Sequence, residues 1–165
     1  MPYEGSVTEK KMAQPDFPAL LQPGLHNMTL PELHALAVAP FEADQRRHEL
    51  YERLLAWVGA LQGLGLGGTL WLDGSFLTQK PRPGDIDCVL WSPYWVNGNA
   101  NTNPAVQQQI SHLFDHAAAE SLFNLDLYVE MPAQDEVFHR EAYWRGVLGF
   151  SHDRITAKGF AEVNI

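Results

Sequence analysis

The chain has 165 residues, 45% of them hydrophobic, and its 20 acidic and 11 basic side chains give a formal net charge of −9. This length suits a single domain with one core, and the negative charge disfavours a polynucleotide partner because a phosphate backbone would be repelled. No apolar run approaches the roughly 20 residues of a membrane span, and the N-terminal residues lack the features of a secretory signal. We therefore expect a soluble, cytoplasmic protein without a membrane partner.

The N-terminal part of the chain divides into an arm and the start of a domain. Residues 1–28 contain four prolines and no regular hydrophobic period, which predicts an irregular arm. Residues 29–165 are expected to form the single domain. A Thr-x-x-Glu capping box precedes a short predicted helix over 30–38, and leucines at three- and four-residue steps predict the main helix over 44–61.

Strands and helices alternate through the rest of the chain. The predicted elements are a strand over 69–73, one helical turn in "SFLTQ", a strand over 85–91, a helix over 104–120, a strand over 124–130, a helix near 134–144, and two strands over 145–150 and 157–164. This order predicts an α/β (α+β) fold with a small mixed β-sheet flanked by helices.

Two apparent motifs do not fit their usual context. The glycines of residues 63–68 match the dinucleotide pattern G-x-G-x-x-G, but here a helix precedes them and a strand follows, which is the reverse of that motif. We interpret them as a helix-to-strand turn. His112 and His116 are four residues apart on a predicted helix, but no glutamate is placed as in H-E-x-x-H, which favours packed or solvent-facing histidines over zinc ligands.

Two carboxylates flank one isoleucine at the start of a predicted strand. Because side chains alternate along a strand, Asp85 and Asp87 lie on one face, and like charges at this spacing need a neutralising cation. Asp126 lies between leucines in "NLDLYVE" and is a candidate third acid on an adjacent strand. Such oxygen ligands suit two Mg²⁺ or Mn²⁺ ions, which together hold an attacking oxygen and a leaving phosphate.

The turn ahead of these acids suits a phosphate group. Gly74 allows close approach to the backbone, and the N–H groups and the Ser75 hydroxyl that follow can donate hydrogen bonds. The alternative is an ordinary "PGD" turn with solvated acids at Asp85 and Asp87, and Asp126 as a surface acid on an edge strand.

The order of these residues resembles a known signature. Gly74-Ser75, nine residues, Asp85-Ile86-Asp87 and a later Asp126 are similar to the nucleotidyltransferase signature of the DNA polymerase beta superfamily. The resemblance is greatest to minimal nucleotidyltransferase-like bacterial and phage proteins, and it spans most of residues 44–160. Its C-terminal pattern W.G..G..R...KG is matched by Trp144, Gly146, Gly149, Arg154, Lys158 and Gly159.

The resemblance implies a nucleotidyltransferase fold and a metal-dependent activity. By it, Asp85 and Asp87 bind the two metal ions, Asp126 completes the second metal site and takes the proton of an acceptor hydroxyl, and Gly74 and Ser75 hold the terminal phosphates. The implied reaction transfers a nucleoside monophosphate, foremost AMP from ATP, to a hydroxyl with release of pyrophosphate. Some minimal members adenylylate a toxin protein, as in a toxin–antitoxin pair, which implies a protein acceptor.

Other residues leave alternatives open. Arg145, Arg154 and Lys158 either bring positive charge to the triphosphate or are solvated basic residues. Tyr94 and Trp95 either stack on a base or, as we favour, pack within their loop. The alternative function is a catalytically inactive module of the same fold that binds a nucleotide or a protein partner.

Overall fold

A single open sheet organises the protein. The computed structural model describes residues 16–165, and in this part five strands form a mixed sheet with five flanking α-helices. The predicted α/β class, with a small mixed sheet flanked by helices, is therefore confirmed. The greater part of the predicted N-terminal arm, residues 1–15, lies outside the described residues.

The strands follow the spatial order β1-β5-β2-β3-β4. They are β1 Gly24–Asn27, β2 Leu66–Asp73, β3 Ile86–Trp95, β4 Leu125–Glu130 and β5 Gly159–Asn164. The helices are α1 Leu30–Ala37, α2 Gln45–Gly63, α3 Pro104–Phe114, α4 His116–Phe123 and α5 Val137–Leu148, with single 3-10 turns at Ala39–Phe41 and Ser75–Leu77.

The strand directions bring several chain segments together at one end of the strands. β2 is antiparallel to both of its neighbours, β3 and β5, whereas β4 is parallel to β3. The C-terminal end of β2 therefore lies beside the beginnings of β3, β4 and β5. Side chains carried by these four segments meet although they are far apart in the sequence.

The sheet separates two apolar layers. On one face, α2 and α4 pack against side chains such as Leu72, Cys88 and Leu127, which are at most 1% exposed. On the other face, Trp144 and Leu148 of α5 form a smaller cluster with aromatic residues of β2, β3 and β5. The predicted capping box at the start of α1 is present. Within residues 16–165, no helix has the length and apolar character needed to cross a membrane.

Three sequence predictions are wrong, and tertiary contacts explain two of them. Residues 24–27, assigned to the irregular arm, pair in parallel with β5 as an edge strand, which is a long-range pairing without a local pattern. Residues 145–148, assigned to a strand over 145–150, continue α5 because Trp144 and Leu148 are buried against the sheet. The predicted helix over 104–120 is divided at Asp115, whose carboxylate accepts a hydrogen bond from the Ala118 N–H and caps α4.

Two adjacent arginines at the start of α2 hold the segment that connects β2 to β3. Arg47 is fully buried. It donates hydrogen bonds to the carbonyl oxygens of Ala37, Phe76, Thr78 and Lys80 at 2.5 to 3.0 Å. Arg46 donates to the carbonyl oxygens of Pro83 at 3.3 Å and Gly84 at 2.6 Å. The chain between β2 and β3 is thus fixed by α2 at both ends.

Candidate active site

Acidic side chains form a row across three neighbouring strands. The sheet register places Asp73 of β2 opposite Asp87 of β3, and Asp87 beside Asp126 of β4. Asp85 lies just before β3, two residues ahead of Asp87, and side-chain alternation directs it to the same face. The structure therefore brings Asp85, Asp87 and Asp126 together and adds Asp73, which the sequence analysis did not select.

Burial and neighbouring negative charges raise the pKa values of Asp85 and Asp87. Burial, followed by the charges of Asp85 and Asp126, raises the pKa of Asp87 to about 6. Burial, followed by the charges of Asp126 and Glu120, also raises the pKa of Asp85 above its ordinary value. Lys158 offsets only part of this cost at Asp87, and a further cation among the acids would reduce it.

The donor set fits Mg²⁺ or Mn²⁺ held jointly by protein and substrate. Among residues 16–165, no group of three or more His, Cys, Asp or Glu side chains is arranged to hold a metal ion by itself. Mg²⁺ is commonly bound by one or two carboxylates, with substrate phosphates and water completing its shell. Asp85 and Asp87 are such a pair: burial, and after it the negative charge of neighbouring acids, raises their pKa values, and a divalent cation would neutralise that charge.

A buried ion pair borders the acidic row. The Lys158 Nζ lies 2.7 Å from Asp73 Oδ2, and the two side chains are 13% and 2% exposed. Burial raises the pKa of Asp73 to about 7 although Lys158 opposes the shift. The second oxygen of Asp73, Oδ1, is buried and has no hydrogen-bond partner in the described part of the chain. Lys158, predicted to hold phosphate, is thus engaged with Asp73 here.

Removal of the lysine gives a pH-dependent loss of stability. In Lys158→Met the ionised Asp73 loses its partner, so the variant should lose about 1–3 kcal/mol of unfolding free energy at pH 8. The loss should shrink towards pH 5, because Asp73, with its pKa of about 7, is already protonated there in the native protein. Urea unfolding at the two pH values measures this. Asp73→Asn/Lys158→Met serves as the control and should lack the pH dependence; an equal loss for Lys158→Met at both pH values would contradict the assignment.

The Gly74–Ser75 turn leads directly out of β2. Gly74 has φ +88°, and a Cβ atom at this position would lie 2.9 Å from Asp87 Cγ. Glycine therefore lets the Asp87 carboxylate lie against the backbone of the turn. Ser75 begins the 3-10 turn Ser75–Leu77, which confirms the single helical turn predicted in "SFLTQ".

Alanine at position 74 should displace the Asp87 carboxylate. Gly74→Ala incurs backbone strain and a steric clash, for an expected loss of about 2–4 kcal/mol. Gly98→Ala is the matched control, because Gly98 has φ +73° but open space at its Cβ position, so it should lose only about 1 kcal/mol. Thermal unfolding of both variants measures the difference. Equal losses would show that Asp87 is not packed against Gly74.

Two other predicted phosphate ligands are not joined to the acids. Arg145 is exposed on α5 and lies over the Trp71 ring, 5.2 Å from its centroid. Arg154 is exposed in the loop between α5 and β5, with φ +60°. Within residues 16–165, no ion pair links either guanidinium to an acid of the row. Trp71 precedes Asp73 by two residues on the same face of β2, which places Arg145 on the face of the sheet that carries the acids.

Tyr94 and Trp95, for which the sequence left both base stacking and loop packing open, lie far from the acids. Tyr94 and Trp95 end β3, and Asp87 near its start is about 23 Å away along a strand of this length. A base bound with its phosphates at Asp87 does not reach them.

His116 lies close to the acids, with its Nδ1 3.6 Å from Asp126 Oδ1 and 2.9 Å from the Leu127 carbonyl oxygen. That carbonyl and then the nearby acids raise the pKa of His116.

A cleft opens beside the acidic row. It has a volume of about 410 Å³ and lies between β4 and α5. Asp87 and Asp126 line one part of it, and the other lining residues include Tyr128, Glu130, Arg140 and Tyr143. Arg140 and the Trp144 Nε1–H both donate to the Glu130 carboxylate.

Comparison with known proteins gives one match. The model of a family described as "Family of unknown function (DUF6932)" matches residues 15–164. No curated protein and no solved structure matches the chain.

Proposed function

The chain belongs to the DUF6932 family of unknown function, and we propose from the site itself that it is a metal-dependent nucleotidyltransferase. The proposed reaction transfers a nucleoside monophosphate, foremost AMP from ATP, to a hydroxyl group. It is the activity implied by the resemblance to the DNA polymerase beta superfamily. The observed α/β fold and the row of acidic side chains are consistent with this activity.

One observation carries the proposal. The Asp87 carboxylate lies against the Gly74 backbone on one side and beside Asp126 on the other, so the glycine-serine turn and acids from two strands meet around it. A binding domain without metal chemistry gains nothing from placing Asp85 and Asp87 where burial and neighbouring negative charges raise their pKa values. This combination supports a site for phosphates and divalent cations.

Each residue has a specific role in the proposed reaction. Asp85 and Asp87 would hold Mg²⁺ or Mn²⁺, with Asp126 contributing to the second of two ions. When bound, the ions would stabilise negative charge on the transferred and leaving phosphates. The Gly74–Ser75 turn would orient the terminal phosphates by hydrogen bonds. The acceptor oxygen would bond to the α-phosphorus, the bond from this phosphorus to the bridging oxygen would break, and the acceptor proton would pass to an Asp126 carboxylate oxygen.

A hydroxyl on a partner protein, such as a toxin, is the proposed acceptor. The support is the resemblance to minimal members that modify proteins, together with the net charge of −9, which disfavours polynucleotide acceptors. A small-molecule hydroxyl is the second choice. In either case the nucleotide must bind before the acceptor can be identified.

Nucleotide binding can be measured without the acceptor. We would titrate ATP, GTP, CTP and UTP calorimetrically into the native protein with and without Mg²⁺, and into Asp85→Asn/Asp87→Asn. The expected result is Mg²⁺-dependent binding of one triphosphate, weakened by about 100-fold in the double variant because two charged ligands are lost.

A charge-matched control separates site effects from net charge. Glu42→Gln/Asp135→Asn also removes two negative charges, both from exposed positions, and should bind like the native protein. Equal binding to the native protein and to Asp85→Asn/Asp87→Asn would refute the metal site. Absence of binding to any triphosphate would favour the alternative of a catalytically inactive module that binds a protein partner.

A further inference from the structure

The cleft between β4 and α5 is continuous with the acidic row. Asp87 and Asp126 line it at one end, and Glu130 and Arg140 line it farther along β4. Glu130 follows Asp126 by four residue steps along β4, which corresponds to about 13 Å. Its volume of about 410 Å³ is within the range of about 300–1,000 Å³ for small-molecule pockets.

Aromatic rings line the middle of the cleft and are accessible to a ligand. Tyr128 is 45% exposed and Tyr143 is 54% exposed. Both pack against the buried Trp144, with ring centroids 5.1 Å and 5.3 Å from it. The Arg140 guanidinium also lies over the Tyr143 ring, 4.9 Å from its centroid. These contacts fix the rings in place and thereby lower the entropy cost of stacking a planar group on them.

The charges of the cleft restrict what part of a ligand it can accept. Its charged lining consists of three carboxylates, Asp87, Asp126 and Glu130, and one cation, Arg140. The cation is already paired with Glu130. Farther along β4 the Glu130–Arg140 pair leaves no unpaired positive charge to bind a phosphate in this cleft, whereas a neutral planar group with polar edges needs none. Glu130 can accept a hydrogen bond from such a group, and Arg140 can donate one to it.

We infer that this cleft binds the nucleoside part of the triphosphate. The base stacks on the Tyr143 and Tyr128 rings with its polar edge towards Glu130 and Arg140, and the phosphates extend to the Gly74–Ser75 turn and the acids. This inference rests on the proposed function for the position of the phosphates. It assigns base recognition to β4 and α5 and separates it from the phosphate site.

The test compares whole nucleoside triphosphates with ligands that contain only their phosphate part or only their nucleoside part. Mg²⁺-ATP and the other three Mg²⁺-nucleoside triphosphates, Mg²⁺-tripolyphosphate and the free nucleosides are titrated calorimetrically into the native protein, Tyr143→Ala and Phe138→Ala. Phe138 is on the same helix and is 76% exposed but does not line the cleft. Tyr143→Ala should weaken nucleoside triphosphate binding by about tenfold, the effect of one lost stacking contact, and leave tripolyphosphate binding unchanged. Phe138→Ala should change neither.

The outcomes separate this inference from the proposed function. Triphosphate binding that is weakened in the double variant Asp85→Asn/Asp87→Asn, titrated alongside, but is unaffected by Tyr143→Ala would overturn the inference and leave the proposed function intact. Nucleoside binding that is lost in Tyr143→Ala, without any tripolyphosphate binding to the native protein, would support the cleft and contradict the phosphate site. An equal loss of triphosphate and tripolyphosphate affinity in Tyr143→Ala, or no binding of any triphosphate or nucleoside to the native protein, would overturn the inference.

Discussion

Asp87→Asn is expected to stabilise the protein at pH 8 without divalent cations and to abolish its stabilisation by Mg²⁺. The native pKa of about 6 exceeds that of an unfolded aspartate, so ionisation of Asp87 costs stability as the pH rises from about 4 to 6. Asparagine removes this cost. We expect a gain of about 1–2 kcal/mol at pH 8, or about 3–6 °C in Tm, and little gain near pH 4.

Thermal unfolding with and without Mg²⁺ measures both effects. Mg²⁺ should raise the Tm of the native protein, because a ligand that binds only the folded state stabilises it, and should not affect Asp87→Asn. Asp135→Asn, at an exposed position in the turn before α5, controls for the loss of one negative charge. A lower Tm for Asp87→Asn than for the native protein at pH 8 in the absence of Mg²⁺ would show that the carboxylate is not held at an electrostatic cost.

Arg47→Met is expected to lower the free energy of unfolding by about 3–5 kcal/mol. The guanidinium is fully buried and donates to four carbonyl oxygens. Methionine fills part of the volume but leaves these acceptors without a donor. Three of them belong to residues 76–80, so the chain segment that follows the Gly74–Ser75 turn should loosen as well.

Urea unfolding measures the loss, and an exposed arginine provides the control. Arg145→Met removes the same side chain from the surface of α5, where it lies over Trp71, and should lose less than about 1 kcal/mol. Arg47→Lys should remain well below the native stability, because one ammonium group cannot replace a planar guanidinium with five N–H donors. Similar stabilities of Arg47→Met and Arg145→Met would refute the structural role of Arg47.

Much of the candidate site follows from local sequence patterns. Strand alternation places Asp85 and Asp87 on one face, and the leucines around Asp126 predict its strand and orientation. The Gly74–Ser75 turn and the brief helical turn after it were also predictable, since glycine ends the strand at a positive φ. Each of these inferences needs information from only a few neighbouring residues.

The distant residues that complete the site could be identified only in the folded protein. Nothing local to Asp73 or Lys158 indicates that the two form a buried ion pair, because β2 and β5 become neighbours only through sheet pairing. The same holds for the strand at residues 24–27, and for α5, which continues through residues 145–148 where a strand was predicted. The α/β class, the acidic pair and the glycine-serine turn could be predicted from the sequence, because side-chain periodicity and backbone preference are local. Strand order, the partner of Asp73 and the cleft beneath α5 required the folded chain, because pairing and burial join residues that are far apart in sequence.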